Sequence, residues 1–134
     1  MVAGESANDR EVLRCFLEAF CPQMQGRIVF LNDRFPLRAW LLLFPEVVTN
    51  FTSGWQVPTR RRGGDTGRFQ DPKRIFKDEI SKSGTRYRES DAPAIASRVV
   101  ALNQQAFPVG GNRSYESFRT DVTSRCQELN LPAQ

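Results

Sequence analysis

The sequence predicts a mainly α protein: one four-helix-bundle-like domain over residues 1–134, with a basic irregular segment and little strand. Three observations predict it. Apolar residues recur at helical spacing in four or five stretches. Proline and glycine punctuate the ends of those stretches. Hydrophobic residues make up 40% of the 134-residue chain, enough to fill one core.

The elements follow in order. Residues 1–7 and 130–134 are expected to fray. Asn8 with Glu11 fits a capping box. Val12, Leu13, Phe16, Leu17 and Phe20 then share a helical face, and Pro22 stops that helix near Cys21. Arg27 to Leu31 is a short apolar run that reads as a strand or an extended connector, closed by Asn32-Asp33. Phe35 to Phe44 is dense in apolar residues, with Pro36 suited to a first helical turn. Pro45 breaks or kinks this helix, and Val47, Val48, Phe51 and Trp55 continue its apolar character. A helix apolar on nearly every side is either central to its own core or turned to a neighbouring subunit, and both readings stay open for residues 35–55. Asp91 can cap the next helix, with Pro93 tolerated in its first turn and Ile95, Val99, Leu102 and Ala106 on one face. Pro108-Val-Gly-Gly ends it. Ser114 can cap the last helix, where Tyr115, Phe118, Val122 and Leu129 align.

The charge is local. Residues 60–88 hold ten basic residues against four acids, a net +6, while the rest of the chain holds nine against eleven, a net −2. Sixteen of the nineteen basic residues are arginine, whose planar fork suits phosphate. Residues 56–72 form the basic irregular part, opening on Arg60-Arg61-Arg62-Gly63-Gly64. Phe69, Phe76 and Tyr87 are interleaved, a pattern that suits phosphate contacts with base or sugar stacking. A solvated loop with salt bridges is the plainer alternative.

Other chemistry lacks its residues. The chain has no histidine, so the commonest general base and metal ligand is missing. Neither Gly63-Gly64 nor Gly110-Gly111 stands in a phosphate-loop pattern, and no spacing pairs two acids for proton transfer. No catalytic residue, metal or cofactor is expected. Cys15, Cys21 and Cys126 are odd in number and form no C-x-x-C pair, so reduced thiols and a cytoplasmic setting are expected, with Cys15 and Cys126 as small buried hydrophobes. The N-terminus shows no signal-peptide pattern. The longest apolar stretch, Ala39 to Phe44, is too short to span a bilayer, so no membrane partner is expected.

Several short pieces stand in an order that resembles the coat proteins of rod-shaped plant RNA viruses of the tobacco mosaic virus type. They are Phe51-Thr-Ser-Gly-Trp55-Gln-Val-Pro58, then Arg68-Phe69-Gln70-Asp71, then Thr85-Arg86-Tyr87-Arg88. Asp91 follows, seven residues before Arg98, and Gly110-Gly111-Asn-Arg113-Ser114-Tyr115-Glu-Ser-Phe118 completes the series. The resemblance covers roughly residues 51–119. It implies a virion subunit with radial helices, packed helically around single-stranded RNA. It implies RNA contacts at Arg86, Arg88, Asp91 and Arg98, and a girdle between subunits built from Phe51, Trp55, Phe69 and Phe118. The chain departs from the family in its short path from Arg88 to Asp91 and in the added Arg60-Arg61-Arg62, which read as further RNA-binding residues. Two other functions fit the composition: a discrete dimeric binder of double-stranded RNA, such as a viral silencing suppressor, and a non-catalytic protein–protein adaptor docking through residues 35–55.

Overall fold

The computed structural model describes residues 3–22, 37–62, 71–102, 107–108 and 111–128. The protein is mainly α, and no strand occurs among the described residues. Six α-helices occur among them: α1 (Ala3–Phe20), α2 (Leu37–Leu41), α3 (Pro45–Phe51), α4 (Pro72–Arg74), α5 (Asp91–Val100) and α6 (Arg113–Glu128). The α4 helix runs directly into a π-helical stretch, Ile75–Ile80, and single 3₁₀ turns occupy Thr59–Arg61 and Ser83–Thr85. None of the helices among the described residues is long and apolar enough to cross a membrane. The predicted apolar run Arg27 to Leu31 lies outside the described residues.

The core forms where the predicted stripes meet. Phe16 of α1 packs edge-on against Trp40 of α2, with ring centroids 5.3 Å apart, and faces Phe44 and Tyr115. Phe20 adds Phe107 and Phe118. Val12, Ile95 and Val99 are fully buried where α1 packs on α5. Leu37, Trp40, Leu41, Leu42, Phe44 and Val48 belong to this same cluster. The apolar character of residues 35–55 is thus answered mainly within the chain.

Several expected ends move. The α1 helix runs through Asn8 and begins at Ala3, so Asn8 and Glu11 do not form the capping box. Glu11 instead pairs with Arg14 at 2.8 Å, one turn on. The cap of α6 is Asn112, not Ser114: its side-chain oxygen accepts from the Tyr115 N–H at 3.1 Å, and its carbonyl from the Glu116 N–H at 3.0 Å. The α5 helix stops at Val100, which leaves Leu102 exposed instead of on the buried stripe. Pro45 does begin a new helix, sitting in its first turn.

The expectation of three reduced thiols is wrong. Cys21, just past the end of α1, is joined by a disulfide to Cys126 in the last turn of α6, across 105 residues. Both sulfurs are buried. The expectation weighed only near-neighbour spacing, whereas the fold brings the two helix ends together with Cα atoms 6.1 Å apart. Cys15 is a buried free thiol, as expected, and burial raises its pKa. Reduced thiols therefore no longer support the cytoplasmic setting.

Candidate nucleic-acid interface

The basic segment is held by a chain reversal. After α3, Gly54 takes a left-handed conformation at φ +91°, where a side chain would be strained. The reversal turns Trp55 inward. Its indole N–H donates to the Thr85 carbonyl at 2.7 Å, and its ring lies 5.3 Å from Phe51. The Gln56 N–H donates to the Ile80 carbonyl at 3.3 Å. Residues 54–57 are thereby pinned beside residues 80–85, and the Thr59–Arg61 turn comes to lie against Glu79.

The facing element starts at Asp71, a non-glycine residue in the left-handed region (φ 50°) whose carboxylate accepts from the Arg74 N–H at 3.3 Å. Beyond α4 the helix widens, and the Ser81 N–H reaches five residues back to the Phe76 carbonyl at 3.0 Å. Ile75, Phe76 and Ile80 are buried, while Lys77 and Asp78 are exposed. The two adjacent acids then take different partners. Asp78 accepts from Arg86 at 2.9 Å. Glu79 accepts from Arg60 at 2.6 Å and from Arg61 through a fork of two bonds at 2.9 and 2.7 Å. The Arg61 hydrogen bonds hold the Glu79 carboxyl below the usual carboxylate range. Two acids thus gather three arginines, with Lys77 on the same stretch and Lys82 packed over Gly54.

The predicted RNA-facing residues divide. Arg60, Arg61 and Arg86 come together around Asp78 and Glu79. Arg88 is exposed, and its guanidinium makes no ion pair among the described residues. Arg62 lies apart, donating from Nε to the Val57 carbonyl at 3.0 Å. Asp91 turns back on its own chain: its carboxylate accepts from the Arg88 N–H at 2.8 Å, as the acid of a capping box does. Arg98 is drawn elsewhere. It donates to the carbonyls of Asn50 and Phe51 at the end of α3, both at 3.3 Å, and lies 4.8 Å from the Phe51 ring centre. This ties α5 to α3, while Arg98 stays exposed.

The aromatic expectations also change. Phe76 and Tyr87 stack on each other at 4.9 Å and are buried, so neither offers a face to a base. Trp55 and Phe118, expected in a girdle between subunits, are 4% and 3% exposed and belong to the chain's own core. The reversal at Gly54 buries the first, and the α6 stripe buries the second. Phe51 is half-buried under Arg98. Phe69 lies outside the described residues.

One charged site went unread in the sequence. Arg38 of α2 is 6% exposed and pairs with Asp9 of α1 and, at 2.6 Å, with Glu89 ahead of α5. Lys73 stands 3.7 Å from the same Glu89. Burial works against the Arg38 charge, but its acceptors outweigh burial and raise its pKa. The signal was an arginine alone inside an apolar helical run, a residue type rarely buried without a partner. The partners themselves come from distant elements and carry no local spacing. Among the described residues no group of three or more cysteines or carboxylates is placed to hold a metal ion. Comparison with protein-family models, with curated proteins and with solved structures finds no match to this chain.

Proposed function

We propose that this chain is a non-catalytic RNA-binding structural protein that contacts the phosphate backbone through arginine and tolerates many sequences. One observation carries the reading: Arg60, Arg61 and Arg86 gather around two acids, beside exposed Lys77 and Lys82 and with exposed Arg88 close by in sequence. Cations outnumber acids there, and arginine is the fork that fits phosphate. In its finer form, carried by the coat-protein resemblance, the chain assembles helically around single-stranded RNA as a virion subunit. The lack of histidine supports a non-catalytic role.

The second reading is a discrete dimer that binds duplex RNA by shape. The burial of Trp55 and Phe118 favours it, because those side chains are not available to a filament interface. Within the predicted adaptor region, residues 35–55, most of the apolar residues from Leu37 to Val48 are buried, which gives the adaptor reading less support.

Negative-stain electron microscopy of the untagged protein, with the ratio of nucleic-acid to protein absorbance taken on the same fraction, separates these. Rods or stacked discs carrying nucleic acid are expected for the coat-like form. Small uniform particles that retain added duplex point to the dimer. Small particles that take up neither single-stranded nor duplex RNA overturn both.

A further inference from the structure

The Thr59–Arg61 turn holds two guanidinium groups against one carboxylate. Arg61 presents a parallel two-bond fork to Glu79, and Arg60 adds a third bond to the same oxygen pair. Such a fork accepts a phosphodiester as readily as a carboxylate, since both offer two oxygens in a plane. Among the described residues, Arg60 and Arg61 both bond to the one carboxylate of Glu79. The Arg60 side chain is 67% exposed, so an anion can reach it, while the Glu79 side chain is only 19% exposed and sits beneath the pair. A neighbouring acid, Asp78, accepts a single bond from Arg86.

We propose that the Thr59–Arg61 turn is an RNA-backbone site in which Glu79 stands in the place of a phosphate, so that RNA binds there by exchange with this carboxylate. The proposal rests on the RNA-binding reading and gives that site its regulation. Exchange breaks and forms only ionic hydrogen bonds. Displaced Glu79 keeps its charge next to the incoming phosphate, so it lowers affinity below what the arginines alone provide. Arg60-Arg61-Arg62 is also the insertion that departs from the coat-protein pattern, which makes this contact additional to Arg86 and Arg88.

The test is anisotropy of a labelled oligouridylate titrated with the full chain over a range of salt concentrations. Glu79→Gln keeps the shape and one acceptor, so the turn stays in place. It is expected to bind RNA several-fold more tightly, with a salt slope close to that of the wild type, because the same phosphates are contacted. Arg60→Ala/Arg61→Ala should weaken binding, and Glu79→Gln in that background should bring no gain. If the wild-type chain binds but Glu79→Gln does not tighten it, the exchange is overturned and the RNA reading stands. If only Glu79→Gln binds, and loses binding with the two arginines, Glu79 blocks the turn instead of exchanging, and both the exchange and RNA binding by the native chain are overturned. If neither binds, both fall. A readout without substitution covers a variant that fails to fold. The Arg61 Nε–H resonance of the wild-type chain should move on saturation with oligouridylate, and a fixed resonance while RNA is bound overturns the exchange.

Discussion

Arg98 and Arg88, two arginines of one predicted set, stand in different surroundings. Arg98 caps the carbonyl end of α3 and covers the Phe51 ring. A cation at a helix end and over an aromatic ring contributes on the order of 1 kcal/mol. Arg98→Ala should therefore lower the unfolding free energy in urea by about 1 kcal/mol and leave the salt slope of RNA binding unchanged. Arg88→Ala should change stability by less than about 0.5 kcal/mol, as exposed substitutions do, and flatten the slope by about 0.7. Equal slope changes in both variants would return Arg98 to the RNA contacts. Tyr87 and Tyr115 add a pH dependence. Burial pushes both phenols up to about 12, against about 10 in an unfolded chain. The native state then keeps protons that the unfolded state releases. Its stability is complete below pH ~10 and is lost as the pH rises to ~12, by up to about 3 kcal/mol for each tyrosine. Tyr87→Phe should remove part of that alkaline loss, measured by urea midpoints from neutral pH upward. An unchanged alkaline profile would mean that Tyr87 ionises freely in the fold.

At the scale of elements, the disulfide decides how firmly α6 is held. Two further contacts tether the start of that helix: the Tyr115 hydroxyl and the Arg119 guanidinium both donate to the Pro108 carbonyl at 2.9 Å. Its far end is fixed by Cys21–Cys126. Closing a loop of about 100 residues removes unfolded-state entropy worth about 4.7 kcal/mol. Cys126→Ser should therefore lower the unfolding free energy by several kcal/mol, and reduction of the wild type should do the same. A matching midpoint before and after reduction would show that the bond does not constrain the unfolded chain. This bond also marks the limit of what the sequence made legible. The helices of residues 9–21, 91–100 and 113–128 were readable because period and punctuation are local. Among their fully buried residues, Val12, Phe16, Ile95, Val99 and Tyr115 lie on the expected stripes. What joins one helix to another was not readable. Cys21 with Cys126, Arg38 with Asp9 and Glu89, and Arg98 with Phe51 are partnerships set by the tertiary fold alone. The candidate site was legible in the same partial way. The excess of arginine in residues 60–88 could be counted, but the two acids that arrest Arg60, Arg61 and Arg86 depend on a π-helical stretch that no period announces.

At the scale of the molecule, the question is what could hold copies together. A filament needs two different surfaces that match without closing. Among the described residues, the one large hydrophobic side chain that is exposed is Leu102, at 37%. Trp55 and Phe118 cannot serve without leaving the core, and truncating a buried tryptophan costs about 3–5 kcal/mol of stability. Trp55→Ala should accordingly impair folding first, with assembly lost only in proportion to the fraction unfolded. The described surface offers any second copy mainly polar and charged groups, and the net charge of +4 repels. On the proposed reading RNA would neutralise that repulsion, so it is expected to be a necessary part of any assembly. Sedimentation velocity of nucleic-acid-free protein should show a small species at low salt, with large particles appearing only on addition of single-stranded RNA. Those particles should dissolve as salt is raised, because phosphate contacts weaken with the logarithm of salt concentration. Rods that form without RNA and persist at high salt would establish an apolar interface, and would overturn the view that RNA is what binds one copy to the next.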